Sequence, residues 1–165
     1  MYYFAYGSNM SSRRLLARVP SARSLGVARL SGYQMIFSKR SHDGSAKCTI
    51  HVKAGASTLG VLYQIPADQR YTLDRIEGQC FGYHVKEGQI TTQIGSRMTA
   101  FTYLGTDLSG ILPAYTWYVE HVLRGAREHG IAQQYIDKIE AVPAIEDPDQ
   151  GRHEFEMSIY TEVET

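Results

Sequence analysis

The chain has 165 residues, 43% hydrophobic and 21% charged, ordinary values for a folded protein whose core needs neither disulfides nor metal; one domain over residues 1–165 is the expectation. Lysine plus arginine equal aspartate plus glutamate at 17 each, and the basic residues are scattered, which excludes the phosphate-neutralising stripe of a nucleic-acid binder. No apolar stretch is long enough to cross a bilayer, and Cys48 and Cys80 fit neither a CxxC pair nor a disulfide framework, so a cytosolic, reduced protein with no leader segment is expected.

The first element is Tyr2 to Tyr6, apolar on successive residues, which predicts a strand covered on both faces. It stops at Gly7. Ser8 or Asn9 can then cap a helix carrying Met10, Leu15, Leu16 and Val19, ended by Pro20. Arg13-Arg14 reads as the solvated face of that helix. Ser24 to Leu30 and Tyr33 to Lys39 read as two strands joined through a Ser31-Gly32 hairpin. Ser41 to Ala46 is polar and predicts an exposed loop, followed by strands at Cys48 to Lys53 and Leu59 to Ile65. Pro66, Ala67 and Asp68 start a short helix with Leu73 and Ile76 on its apolar side, ending before Gly78. Tyr83 to Ile90 and Arg97 to Leu104 are the next strands, separated by Gly95-Ser96.

Tyr115, Tyr118, Val119, Val122, Leu123 and Ala126 repeat at helical spacing up to Gly130. A further helix carries Ile131, Tyr135, Ile136, Ile139 and Val142. Phe155, Met157 and Ile159 alternate with polar residues and predict a late edge strand. Many sequential strands with helices inserted among them give an α+β class: a mixed, strongly curved sheet or small β-barrel flanked by helices.

Two places carry chemistry. Tyr6-Gly7-Ser8-Asn9 lies where a buried strand gives way to a helix. Glycine there permits special backbone angles and leaves its amide uncovered. The first N–H groups of the helix lack internal partners and suit a carboxylate or an oxyanion. A tight turn with a capped helix explains the same residues structurally. The loop lacks the glycine spacing and lysine of a phosphate-binding loop and the flanking glycines of a nucleophile elbow.

The second place is Glu77, at the C-terminal end of a helix directly before Gly78. The negative end of the helix field opposes a charged carboxylate there by about 0.3–1 kcal/mol, and an apolar pocket would oppose it further, which poises it as a proton acceptor. The bland alternative is an exposed glutamate. Asp74, one turn earlier, is a weaker rival, and Cys80 reads as a small buried filler rather than a nucleophile. The six histidines show no ligand spacing, and His129 fits a helix C-terminus. No metal and no cofactor are expected.

Tyr3-Phe4-Ala5-Tyr6-Gly7-Ser8-Asn9, Leu59-Gly60-Val61-Leu62-Tyr63, Leu73-Asp74-Arg75-Ile76-Glu77-Gly78, and Tyr118 with the segment Gly125 to Gly130 together resemble the γ-glutamylcyclotransferase family. The resemblance spans most of the chain in the family's order. It implies a mixed α/β domain with a barrel-like sheet. The implied reaction turns a γ-glutamyl amine or peptide into 5-oxoproline and the free amine. It places Glu77 as general acid/base and Tyr3, Phe4, Ala5, Tyr6, Gly7, Ser8 and Asn9, with Tyr118, at the substrate. The expected partner is a small γ-glutamyl molecule, the expected state a monomer or homodimer, with no nucleic acid or membrane. Where the family often has Pro-Ser before that tyrosine, this chain has Ala114-Tyr115-Thr116-Trp117, and bulky aromatics there are expected to reshape the pocket. The competing reading is a non-catalytic module of the same fold that binds a small carboxylate.

Overall fold

The computed structural model describes residues 1–78, 82–108 and 111–161; Cys80 lies outside them. Five strands close a mixed barrel in the order β1 (Tyr2–Ala5), β3 (Ala46–Gln64), β2 (Arg23–Arg40), β4 (Tyr83–Thr92) and β5 (Arg97–Gly105). The closure is a parallel contact of Tyr3 with Phe101, and the other pairings are antiparallel. Tyr3, Phe4 and Ala5 are all buried, as the unbroken apolar run at the chain's start requires.

Helices α1 (Ser12–Arg18), α2 (Arg70–Glu77), α3 (Thr116–Glu128), α4 (Gln133–Glu140) and α5 (Gln150–Met157) surround the barrel. Two-residue strands at Ala114–Tyr115 and Ala144–Ile145 pair parallel beside it. This is the α+β class with a small barrel that the strand pattern predicts. No helix among the described residues is long and apolar enough to cross a membrane.

Four expectations are corrected. Ser31-Gly32 is not a hairpin: Gly32, at φ 80°, sits inside β2, where the register with β3 shifts. A positive-φ glycine suits a bulge as well as a turn, and here one 18-residue strand bends over one 19-residue partner. The real hairpin loop is 41–45, only partly exposed, with Ser45 fully buried. The late strand is instead α5, whose N-cap Asp149 accepts from the Arg152 amide at 3.0 Å. Phe155, which made the alternation look amphipathic, is exposed. Arg14 does not lie on a solvated face.

Arg14 is buried and donates to Glu156 of α5, and its Nη1 lies 2.9 Å from His121 Nε2 of α3. His121 Nδ1 lies 2.7 Å from the Tyr160 hydroxyl, which donates to Ser11 Oγ. This network straps the C-terminal segment over the start of α1. Burial, helped by the Arg14 charge and opposed by Glu156, holds His121 down at about 4. An unfolded histidine titrates near 6.5, so between those values the unfolded chain binds the extra proton. Stability is therefore expected to fall as pH drops from 6.5 to 4 and to stop responding to this group below 4. Urea unfolding across that range checks it, and His121→Gln should flatten the slope.

Candidate active site

β1 runs out of the barrel into Tyr6, and residues Ser8–Met10 then make a single 3₁₀ turn. The helix proper starts at Ser12, capped by Ser11, whose side chain accepts from the Arg14 amide. The cap is therefore Ser11, not Ser8 or Asn9, which leaves those two residues at the barrel mouth. Gly7 has φ −112°, so space rather than backbone angle demands glycine: a Cβ would stand 3.1 Å from Cys48 Cβ and 3.4 Å from the Tyr118 hydroxyl. The amides of Gly7 and Ser8 donate to no group among the described residues, so two backbone donors are unspent at the mouth.

Glu77 closes α2, followed by Gly78 in the left-handed conformation at φ 66°. Its side chain is 15% exposed and points at the loop rather than at solvent. Oε1 accepts from Asn9 Nδ2 at 2.9 Å and from Arg18 Nη1 at 3.0 Å. Arg18 also donates to Asn9 Oδ1 at 2.9 Å, and Asn9 donates to the Tyr3 hydroxyl at 3.0 Å. Both contacts fall on Oε1, and Oε2 has no hydrogen-bond partner among the described residues. Arg18 thus sets an opposite charge against the carboxylate, a contact that no local sequence signal near Glu77 announces.

Loop and carboxylate face one cavity of about 30 Å³, lined by Tyr3, Tyr6, Gly7, Ser8, Asn9, Cys48, Glu77, Tyr83, Tyr103 and Tyr118. Ser8, Glu77, Tyr83 and Tyr118 also line an outer basin of about 270 Å³ that opens to solvent. Beside Glu77, five tyrosines line the cavity, and their phenols stay neutral. Burial first, then the Glu77 charge, pushes Tyr3 up. Burial also leads in raising Tyr118 and Tyr83. The Cys48 thiol is pushed up to about 12 by burial, which makes it a poor nucleophile. Among the described residues Glu77 is the only carboxylate in that wall, and its Oε2 is left without a hydrogen-bond donor by the contacts at Oε1.

Residues 57–139 match the AIG2-like family model. Over 148 residues the chain is 34% identical to the γ-glutamylcyclotransferase of Mus musculus, covering 85% of this chain and 77% of the mouse protein, and the Homo sapiens protein of that name matches equally. The chain belongs to the γ-glutamylcyclotransferase family. A solved structure named gamma-glutamyl cyclotransferase superposes with a TM-score of 0.82 at 30% identity, covering 88% of this chain and 89% of that one.

Seen as a γ-glutamylcyclotransferase fold, the chain brings most of the expected site residues together. Tyr3, Tyr6, Gly7, Ser8, Asn9, Glu77 and Tyr118 share the cavity wall. Phe4 and Ala5 do not: a Cβ on Gly60 would strike the Phe4 ring at 2.8 Å and the Ala5 carbonyl at 2.3 Å, so both pack against β3. Tyr118 serves the core and the site at once, its hydroxyl accepting from the Cys48 amide at 3.0 Å. Asp74 stands one contact back, holding the Tyr103 hydroxyl at 2.5 Å. His129 does lie at the C-terminus of α3, and its Nε2 also meets Ser12 and Tyr63. Arg18, Cys48, Tyr83 and Tyr103 are the neighbours that sequence reading missed. Only their positions in the barrel, not any local motif, join them to Glu77.

Proposed function

We propose that Glu77 and the Gly7-Ser8 amides carry the cyclotransferase activity of this family member, the conversion of a γ-glutamyl amide into 5-oxoproline and a free amine. The observation that supports the reading is that Glu77, with Oε2 unpartnered among the described residues, lines one cavity with Gly7 and Ser8, whose amides have no acceptor among them. The neutral α-amine of the substrate attacks its own γ-carbonyl carbon. As the new C–N bond forms, Glu77 accepts the proton that nitrogen sheds. The Gly7 and Ser8 amides hold the oxyanion, and a donor of this kind is typically worth about 10²–10³ in turnover. When the old C–N bond breaks, Glu77 returns the proton to the departing nitrogen. Attack within one molecule means that the pocket need only hold the substrate folded.

Asn9 and Arg18 act as positioning residues. By occupying Oε1 they turn Oε2 toward the reacting nitrogen. Neutral phenols around the cavity favour a folded chain of carbon atoms and add no competing charge.

Incubation with γ-glutamyl-alanine, followed by mass spectrometry, is expected to show 5-oxoproline and alanine released in equal amounts. Thermal stabilisation by the dipeptide without any 5-oxoproline would instead favour the carboxylate-binding module.

A further inference from the structure

The outer basin is cationic in an uneven way. Arg14, Arg18, Lys39 and Lys47 all line it. Three of them have a carboxylate in contact: Arg14 meets Glu156, Arg18 meets Glu77 at 3.0 Å, and Lys47 meets Asp43 at 2.8 Å. Lys39 has none among the described residues. It stands directly opposite Lys47 across the β2–β3 ladder, an arrangement of like charges that destabilises a sheet.

The fold also makes room for this lysine. Lys39 is only 7% exposed, and its ammonium lies 4.8 Å from the centre of the Tyr83 ring. A Cβ on Gly105 would stand 2.5 Å from Lys39 Cγ, and one on Gly82 would stand 3.2 Å from Nζ. Two glycines thus clear a slot for the stem and leave the charged end at the basin. Burial pulls the ammonium below its usual value, with Glu77 and Asp43 opposing from a distance. A buried cation without a counter-ion is costly, and an incoming anion would offset that cost.

The inner cavity and the basin meet at Ser8, Glu77, Tyr83 and Tyr118. Under the cyclotransferase reading, on which this step rests, the scissile amide lies at that junction. The glutamyl half then points inward and the leaving half lies in the basin beside Lys39. We propose that Lys39 is a specificity-determining residue of this chain, the group that binds the carboxylate carried by the leaving half of a γ-glutamyl dipeptide.

The test compares γ-glutamyl-alanine with γ-glutamyl-ethylamide, which differ by that one carboxylate. A hydrogen bond between charged groups is worth roughly tenfold to a hundredfold in affinity. The kcat/KM ratio of the two substrates is expected to favour the dipeptide by that factor, and Lys39→Met should collapse the ratio toward one. Wild-type turnover of γ-glutamyl-alaninamide gives the same comparison without a mutation and is expected to resemble the ethylamide. Turnover of all three substrates with equal kcat/KM, or a ratio unmoved in a folded Lys39→Met protein, would overturn the role of Lys39 alone. No 5-oxoproline from any of them would overturn the cyclotransferase reading and Lys39's role with it.

Discussion

Replacing Glu77 by glutamine is expected to lower turnover by about 10²–10⁴, the range for loss of a positioned general acid–base group, with a much smaller effect on KM. The geometry makes this substitution unusually clean. Asn9 and Arg18 both donate to Oε1, and the amide oxygen of glutamine can take over both bonds. The amide nitrogen then occupies the place of Oε2, where it can donate but not accept. The stability cost comes from Arg18, which loses its counter-charge while keeping Asn9 Oδ1 at 2.9 Å. With both side chains still 15–20% exposed, water limits that cost to less than a fully buried pair would show. Release of 5-oxoproline under saturating substrate measures the first quantity, and a thermal melt the second. A folded Glu77→Gln protein with turnover near wild type would remove Glu77 from the mechanism.

What the sequence revealed follows from how local each signal is. The buried first strand, the stop of α2 at Glu77-Gly78 and the apolar stripe of α3 are each written within one or two turns of chain. The long ladder of β2 on β3 is not. Gly32 announces a positive φ, but only the partner strand decides whether that means a turn or a bulge. Alternation at Phe155 and Met157 suggested a strand because sequence cannot show that Asp149 caps a helix there and that Arg14 waits for Glu156, 142 residues away.

The candidate site divides the same way. Glycine at position 7 was legible as a special residue, but its reason, the approach of Cys48 and Tyr118, is a contact between distant segments. Arg18 and Glu77 are 59 residues apart, and nothing near Arg18 announces a partner. The aromatic departure at Tyr115-Thr116-Trp117 proved informative in a different sense. Trp117 lies under the Lys47 ammonium at 4.1 Å and lines the outer basin.

Gly125→Ala should be the most damaging conservative change in α3, although helix propensity alone predicts a gain of about 1 kcal/mol. A Cβ at Gly125 would stand 2.3 Å from the Ser11 nitrogen and 2.4 Å from the Met10 carbonyl carbon. Both are backbone atoms, so no rotamer change can relieve the contact; α3 or the loop must move. Overpacking of this kind typically costs 1–3 kcal/mol, which outweighs the propensity gain. The displaced atoms follow Asn9, which holds Glu77, and include Ser11, which caps the helix carrying Arg18. A shift near 1 Å at such a point can cost about 10²-fold in rate. Urea unfolding is thus expected to show a lower midpoint, and kcat/KM to fall by a similar factor. Gly151→Ala in α5 is the control: only Asp149 Oδ1 lies near, at 3.5 Å, so helix propensity acts alone and the midpoint should rise. A Gly125→Ala protein as stable and active as wild type would show that α3 yields to the loop, rather than setting its position.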